Sequence, residues 1–468
     1  MIDQSKTIKI FSTEFKSAII IIALIQLAFF FITNEDYFFS DDYQYIIGVK
    51  LYNLIQGHSL SFENLFLYLI DPPHYAPIFF FINQFIPDNP IWFHGFVIFL
   101  LGMSSLIVFK IVEKLTSDKK ISLLASIMFC ANYSIHIKTL VWDSLHTHMT
   151  NSTIGFLSVL VMIISFEKKS RLRWYFLYIF LSMISVLNFE TGLIYPIITF
   201  LIIFLFYKKK LIKAGTVALL PIILYTLAVF AVSGEILPLL KDRTSDIRLK
   251  KYEKAFNLNS NSKIYFYRSQ YAPRNSLGYT LRAADNVLGS FNLSSVENIV
   301  KYYLDKEKVK VMILNNYRKV LFIIILFAIS IIAYLYNKFR IIKFRDFSLK
   351  FVIIYLALFS IYTFIYFRKD INMALAFPSS VLISIVVVEL YKVKNKILSY
   401  LIIFLFFLPT VLYAFTGFEY VNEWPTRSTI KKISQSYYEK AKNKEIDMNL
   451  ENDSDFIYRL VRNIILGG

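Results

Sequence analysis

The sequence has very little cysteine and few charged residues. Cys130 is the one cysteine among 468 residues, which excludes an internal disulfide bond and any zinc site built on cysteines. Only 18% of the residues are charged, against about 25% in soluble globular domains. Apolar residues make up 56%, and the mean hydropathy is +0.52. This composition excludes a soluble enzyme, a secreted disulfide-rich domain and, despite a net charge of +18, a nucleic-acid-binding domain.

Long apolar runs fill most of the chain, and such runs cross a bilayer as helices. Charged breaks separate eleven of them, so we predict an all-α polytopic membrane protein with about eleven transmembrane helices. The predicted spans are 17–33, 92–112, 121–136, 150–166, 174–188, 191–207, 214–233, 319–336, 350–367, 373–391 and 397–416.

Lysine and arginine are distributed unevenly over the segments between these spans. With residues 1–16 placed in the cytoplasm, the short cytoplasmic segments and their edges carry 23 Lys and Arg, and the short outer segments carry four. Since basic short loops stay in the cytoplasm, this bias predicts a cytoplasmic N-terminus. The bulky Phe29-Phe30-Phe31 does not fit a signal-peptide cleavage site, so we expect the first span to remain as an anchor.

Three larger polar segments fall on the outer side in this topology. Within the transmembrane body, residues 1–416, a first outer loop covers 34–91 and a long outer loop between the seventh and eighth spans covers 234–318. The third segment, 417–468, is an extracytoplasmic tail whose pattern is mostly helical.

The first outer loop is acidic, with seven Asp and Glu against one cation, Lys50. Ser40 precedes Asp41 and Asp42, and the helical spacing that follows ends at Gly57, which predicts an amphipathic helix on the membrane surface. The two aspartates then lie at its N-terminus. They either cap the helix or form an acidic site, since capping needs one such residue rather than a consecutive pair.

Ionisable side chains gather at the outer ends of the spans. His74 lies in the proline-rich stretch 71–77, and His94 opens the second span. The alternatives are that the prolines around His74 only form a rigid turn and that the histidines are ordinary residues at the level of the lipid headgroups. The other outer-end residues are His136, Lys138, His146, His148, Glu190 and Arg368. This convergence predicts a polar site on the outer side of the membrane.

The long outer loop is basic and aromatic, with Arg268 and Arg274 placed among tyrosines. Aromatic rings stack on sugar faces, and a guanidinium group pairs with phosphate through a planar fork. The alternative is a solvated basic loop that contacts anionic lipid headgroups.

Two phosphate-binding motifs and the usual signs of a transporter are missing. The chain has neither Gly-x-x-x-x-Gly-Lys nor Gly-x-Gly-x-x-Gly, so it does not bind ATP or a dinucleotide by those routes. Gln26 and Glu389 are the main polar residues within the spans, and Glu389 is near a cytoplasmic end. Ion-coupled transporters usually place carboxylates or broken helices at the midplane, so a transporter is disfavoured.

The order of several short motifs over residues 40–380 resembles the GT-C glycosyltransferases, and most closely their protein O-mannosyltransferase-like branch with its bacterial relatives. In that branch an acidic pair follows the first span, then come Tyr-Arg-Pro and Phe-His. The matching segments here are Asp41-Asp42, Tyr75-Ala76-Pro77, Trp92-Phe93-His94, His136 with Trp142 and Ser144, Asn188-Phe189-Glu190-Thr191, and Pro378-Ser379.

The sequence departs from that family at three positions. Ala76 replaces the arginine of Tyr-Arg-Pro, Lys138 stands where relatives have Glu, and Asn372-Met373 replaces a Glu-Arg pair. The cation that holds the donor phosphate is therefore open among Lys138, Arg368 and an arginine of the long outer loop.

The resemblance implies a GT-C-like fold and an inverting transfer of a sugar from a polyprenyl-phosphate donor to a hydroxyl of a protein, lipid or glycan. It implies Asp41 as the general base, with Asp42 orienting it or holding a divalent metal ion if one is used. His74, Tyr75, His94 and Glu190 are the expected contacts to donor or acceptor.

Two other classes of function stay open. A ligase or polymerase of polyprenyl-linked glycans would depend on the arginines of the long outer loop, which contains no histidine, rather than on the first-loop acids. A lipid-glycan transporter or flippase would move its substrate without a glycosyl product. In each case the expected location is the plasma membrane of a bacterium, with the site on the extracytoplasmic face.

Overall fold

All regular structure in the described part of this computed structural model is helical. The structure describes residues 12–33, 90–136, 146–168, 171–188, 190–208, 211–233, 283, 286–293, 342–365, 373–392 and 395–416. Ten α-helices lie in these ranges: α1 Thr13–Thr33, α2 Pro90–Thr116, α3 Lys119–Ala131, α4 His146–Ser165, α5 Arg171–Asn188, α6 Ile194–Phe206, α7 Leu211–Ser233, α8 Ile342–Ser360, α9 Met373–Lys392 and α10 Lys396–Thr416.

Six of these helices contain segments that are long and apolar enough to cross a membrane, and α6 and α10 add shorter apolar segments. The all-helical character and the membrane class predicted from the sequence are therefore confirmed. The eighth predicted span, 319–336, lies outside the described residues, so the count of eleven stays a prediction. The six segments are Thr13–Phe31, Ile91–Thr116, His148–Ser165, Leu211–Ala228, Asp346–Thr363 and Met373–Lys392.

Side-chain contacts show how neighbouring helices run. Near the start of α1, Phe15 packs edge-to-face on Phe109 of α2, with ring centroids 5.1 Å apart. Near the end of α1, Phe29 contacts Tyr133, just beyond α3, at 5.6 Å. Thus α1 and α3 begin at the same end of the body, and α2 runs in the direction opposite to both.

One end of the body, here called the basic end, carries the ion pairs. Lys114 in the last turn of α2 pairs with Glu167, two residues after the end of α4, at 2.7 Å. Lys392 at the end of α9 pairs with Glu389 at 2.7 Å and with Asp118 at 3.4 Å. These residues belong to the segments that the sequence predicts to be cytoplasmic, except Glu389, which lies near the cytoplasmic end of the predicted span 373–391. The opposite end is called the polar end.

The turn between α2 and α3 shows how a short loop is built at the basic end. Asp118 caps α3, because its carboxylate accepts hydrogen bonds from the backbone N–H groups of Lys120 (2.9 Å) and Ile121 (3.2 Å). Ser117 before it adopts a left-handed conformation with φ of 58°. The capped turn also brings Asp118 within reach of Lys392.

A glycine allows close packing between α4 and α6. A Cβ atom at Gly155 would overlap the buried ring of Tyr195. In contrast, a Cβ atom at Gly95 on α2 would meet its nearest neighbour, the ring of Phe30, at 3.9 Å. The two glycines therefore differ in the space around them and not in their helical setting.

We expect Gly155→Ala to lower the free energy of unfolding by about 1–3 kcal/mol relative to Gly95→Ala, because the added methyl forces the Tyr195 ring to move. Both variants gain the same helix propensity, so their difference isolates the clash. Thermal unfolding of the purified variants in detergent measures it. Equal midpoints for the two variants would contradict the packing described here.

Candidate functional site

Irregular backbone collects at the polar end. There α3 stops at Ala131, a 3-10 helix covers Glu190–Leu193, and a π-helix, Ile361–Ile365, follows α8. Within α9, Pro378 interrupts the hydrogen-bond ladder one and a half turns from the start. At membrane depth, non-helical backbone is tolerated only where protein or an aqueous cavity surrounds it, and π-helical turns are frequent at functional sites. The polar end is therefore the candidate site.

A short segment of the long outer loop, residues 286–293, is buried among the helices of the body. Its polar side chains Asn286, Ser290 and Asn292 are each no more than 2% exposed. The sequence analysis assigns these residues to the long outer loop, and the structure shows that this part of the chain packs into the body. Asn and Ser in a mixed sequence do not reveal by pattern that their partners lie on distant helices.

Ser290 joins three helices through two of its oxygens. Its backbone carbonyl accepts hydrogen bonds from the side-chain amide of Asn132 (3.0 Å) and from the hydroxyl of Ser379 on α9 (2.8 Å). Its own hydroxyl lies 2.8 Å from the phenol oxygen of Tyr355 on α8. At the break after α3, the side-chain oxygen of Asn132 accepts a hydrogen bond from the backbone N–H of Ile135 at 3.2 Å, so this N–H has a partner.

Asn292 anchors the other end of the segment, in a left-handed conformation with φ of 61°. Its side-chain oxygen accepts a hydrogen bond from the backbone N–H of Ser134 at 3.0 Å. Its amide nitrogen donates to the carbonyl of Phe406 (2.7 Å) and to the hydroxyl of Thr410 (2.9 Å) on α10. In turn Thr410 donates to the carbonyl of Ala131, the last residue of α3 (3.0 Å).

The same pattern holds at the start of the segment and on the far side of the polar end. Asn286 donates to the hydroxyl of Thr363 in the π-helix at 3.1 Å. On α4, the amide of Asn151 lies 2.8 Å from the hydroxyl of Thr191 in the 3-10 helix. With its amide nitrogen towards Ser185 of α5, Asn151 also accepts from the backbone N–H of Gly192 at 2.9 Å.

A layer of aromatic rings lies beneath these polar groups. The ring of Phe156 on α4 contacts three others edge-to-face: Phe129 at 5.5 Å, Tyr195 at 5.1 Å and Phe377 at 5.7 Å. Phe377 contacts Phe351 of α8 at 6.0 Å, again edge-to-face. This ring layer packs α3, α4, α6, α8 and α9 against one another.

Three histidines are buried at the polar end. The ring of His94 lies 5.6 Å from that of Phe30, near the end of α1. His136 is fully buried, and its Nε2 lies 2.8 Å from the carbonyl of Phe129. Because a carbonyl only accepts, Nε2 carries the proton. Nδ1 is then a hydrogen-bond acceptor that has no partner among the described residues. His148 in the first turn of α4 is also buried. These three histidines therefore lie at the same end of the body.

Of the other predicted site residues, Glu190 lies within the described part of the chain. Glu190 begins the 3-10 helix, which brings its backbone to the polar end. The remaining candidates lie outside the described residues, and so does the long outer loop apart from 283 and 286–293. They are Asp41, Asp42, His74, Tyr75, Lys138, Arg268, Arg274 and Arg368. The described side chains include no group of three or more His, Cys, Asp or Glu that could hold a metal ion.

The uncharged polar residues that hold the polar end together are not among the residues predicted for the site. Asn132 and Asn151 lie at the outer ends of predicted spans, and a buried amide in a membrane helix is costly unless it has partners. That cost was a usable signal. Asn286 and Asn292 gave no such signal, because their segment reads as an ordinary polar loop.

Comparison of the chain with protein-family models, with curated proteins and with solved structures gives no match. The assignment of a function therefore rests on the residues of this chain and on the polar end described above.

We expect Asn292→Gly to lower the free energy of unfolding by about 2–4 kcal/mol, because three hydrogen bonds of a buried side chain are lost and their partners stay buried. The matched control is Ser117→Gly, at the other left-handed residue, which is exposed. Glycine suits both backbones, so the control should change stability by less than about 1 kcal/mol. Thermal unfolding in detergent compares the two. Similar losses would mean that the Asn292 side chain does not hold the segment.

Proposed function

We propose that the protein is an inverting glycosyltransferase of the GT-C type, which moves a sugar from a polyprenyl-phosphate donor to a hydroxyl acceptor at the extracytoplasmic face of a bacterial plasma membrane. The acceptor is a protein, a lipid or a glycan. The observation that carries the proposal is the convergence, at the polar end, of segments that are far apart in the sequence and match the family in order.

Four of the matching segments have described residues at the polar end. His94 packs beside the end of α1, after which the chain continues to Asp41 and Asp42. Thr191 is bonded to Asn151. His136 and Ser379 lie close to the buried segment 286–293. His136 comes two residues after Ser134, which is bonded to this segment, and Ser379 donates a hydrogen bond to the carbonyl of Ser290.

The neutral polar interior suits a substrate rich in hydroxyl groups. Asn, Ser and Thr side chains offer both donors and acceptors without the cost of burying a charge. The leaving group is a phosphate, which is stable as an anion, so the chemistry needs no strong general acid. What it needs is a base for the acceptor hydroxyl and a cation near the phosphate.

In the proposed reaction the acceptor oxygen attacks the anomeric carbon from the side opposite the phosphate. The bond between the anomeric carbon and the phosphate oxygen breaks, and polyprenyl phosphate leaves with the electron pair. Asp41 takes the proton of the acceptor hydroxyl. Asp42 orients Asp41, and because adjacent carboxylates repel, one of the two holds its proton more strongly than an isolated aspartate.

The donor phosphate needs a cation, and the proposed candidates are Lys138, Arg368, Arg268 and Arg274. The carboxylates of Asp41 and Asp42 are oxygen ligands of the kind that divalent metal ions prefer, so this pair would hold a metal ion if the reaction uses one. His74, Tyr75, His94 and Glu190 are the proposed contacts to the sugar or the acceptor.

The proposed topology has eleven membrane spans, with the basic end in the cytoplasm. The helix α7 ends at the polar end, with Val186 of α5 packed on its Tyr225. The helix α8 begins at the basic end, where Lys350 lies over the ring of Phe206. A chain that joins these ends crosses the body an odd number of times, and the predicted span 319–336 supplies one crossing. The Lys and Arg bias supports a cytoplasmic basic end.

The ring layer favours an enzyme with a one-sided site over a transporter. Transport by alternating access needs a path that opens to each side in turn, usually next to broken helices and midplane charges. Here the end of α3, the 3-10 helix and the π-helix lie at the polar end, and the ion pairs of the described helices lie at the basic end, with Phe156 and its neighbours between them. This arrangement supports chemistry that is completed at the polar end.

Asp41→Asn should lower the rate of transfer at least about a hundredfold, because the amide cannot accept the acceptor proton. The assay uses the protein in proteoliposomes with radiolabelled polyprenyl-phosphate sugars and a cell-envelope extract as acceptor. The matched control is Asp36→Asn, which removes the same charge from the same loop and should keep the rate within a factor of about three of the wild type.

Full activity of well-folded Asp41→Asn would overturn the assignment of the base. No transfer by the wild type from any common donor would overturn the transferase, and label crossing the bilayer without a glycosyl product would identify a flippase instead. Loss of activity in a variant of the long outer loop with Asp41→Asn unaffected would favour the ligase or polymerase.

If the long outer loop holds the donor phosphate, Arg268→Ala and Arg274→Ala should each raise the KM for the donor about tenfold or more, since a hydrogen bond between charged groups contributes about 1.5–3 kcal/mol. Lys241→Ala, in the same loop and with the same loss of charge, serves as the control. Unchanged KM values in both arginine variants would move the phosphate contact to Lys138 or Arg368.

A further inference from the structure

The first turns of α5 and α7 lie side by side at the basic end, and this region, residues 171–173 and 211–213, is here called the corner. The phenol of Tyr178 on α5 donates to the carbonyl of Ala218 on α7 at 2.7 Å. Val186 packs on Tyr225 about two turns further along each helix. Both contacts join residues about forty positions apart, so α5 and α7 run side by side in the same direction and in register. This register sets Arg171 and Arg173 level with the start of α7.

Five exposed cations surround this corner. They come from the end of α4, the start of α5, the turn between α6 and α7 and the first turn of α7, and none of them forms an ion pair with a described residue. The nearest acid in sequence, Glu167, is already paired with Lys114 at 2.7 Å. The five are Lys168, Arg171, Arg173, Lys208 and Lys213.

Elsewhere at the basic end, several cations already have an anionic partner within the protein. Lys110 pairs with Glu113, and Lys392 pairs with Glu389 and Asp118. Lys350 pairs with Asp346 and also lies over the ring of Phe206. The corner between α5 and α7 therefore concentrates positive charge that the described protein leaves uncompensated.

Below the cations, both helices present apolar side chains outward. Leu172, Phe176 and Phe180 on α5 are 62–66% exposed and recur every four residues, so they form one stripe along the helix. On α7, Ile212 and Leu227 are also exposed. A ligand that fits this surface has an anionic group at the level of the helix starts and apolar chains that run along the helices.

We propose that this corner binds the phosphate headgroup of an anionic phospholipid. The guanidinium groups of Arg171 and Arg173 pair with phosphate oxygens through their planar forks, and Lys168, Lys208 and Lys213 add point charges. The acyl chains lie on the stripe of Leu172 and its neighbours. This site is separate from the proposed transfer reaction and does not depend on it.

The test measures thermal unfolding of the purified full-length protein in detergent during titration with phosphatidylglycerol or, for comparison, phosphatidylcholine. Phosphatidylglycerol should raise the unfolding midpoint and phosphatidylcholine should not. The variant Arg171→Gln/Arg173→Gln/Lys213→Gln should weaken the apparent affinity for phosphatidylglycerol at least about tenfold, as expected for several lost headgroup contacts.

The matched control removes three exposed cations elsewhere at the basic end: Lys119→Gln/Lys120→Gln/Lys396→Gln. It should keep the wild-type affinity. Equal weakening in both triple variants would mean a diffuse effect of charge and would overturn the site. The same stabilisation by glycerol phosphate or inorganic phosphate would overturn the lipid as its ligand.

A second variant covers the case in which the first triple variant is poorly folded. Arg171→Lys/Arg173→Lys keeps the charge and the long side chain but removes the planar fork, so it should fold as the wild type does. A threefold or greater loss of phosphatidylglycerol affinity is expected. Unchanged affinity would overturn the role of the two arginines.

Discussion

The structure depends on one constraint: every backbone polar group that enters the apolar body needs a partner there. The helices meet it internally, but α3 stops at Ala131, and the short segment 286–293 enters as one helical turn that ends in an irregular stretch at 291–293. Side-chain amides meet the need instead. Asn132 satisfies the carbonyl of Ser290, and Asn292 satisfies the backbone of Ser134 and Phe406. The polar end exists because these amides make broken backbone stable inside the body.

The same constraint explains why charge and polarity are segregated along the helices. Ion pairs such as Lys114 with Glu167 lie at the basic end, where water and headgroups solvate what the pair leaves exposed. The buried groups at the polar end are neutral, since a buried charge without a partner costs far more than a buried amide with one. The rings around Phe156 fill the layer between, where neither kind of group would be solvated.

The sequence predicts the parts of this fold that depend on composition alone. Apolar length places helices such as α2 and α9 to within a few residues, because crossing a bilayer needs a fixed length. It does not predict that the span 121–136 breaks at Asn132, or that 286–293 is buried. Both depend on pairs such as Asn132 with Ser290, 158 residues apart, which no local pattern encodes. For the site, it predicts the end of the body but not the amides that build it.

The division between neutral interior and charged loops also bears on the proposed chemistry. A general base must be ionised to accept a proton, and a carboxylate buried among the Asn and Ser side chains of the polar end would be protonated by desolvation. The first outer loop, which carries Asp41 and Asp42, adjoins this interior through the ends of α1 and α2, where Phe30 meets His94. In the proposed enzyme the body would orient a hydroxyl-rich substrate by neutral hydrogen bonds. The loops would supply the charges that chemistry on a phosphate-linked sugar requires, where water can still solvate them.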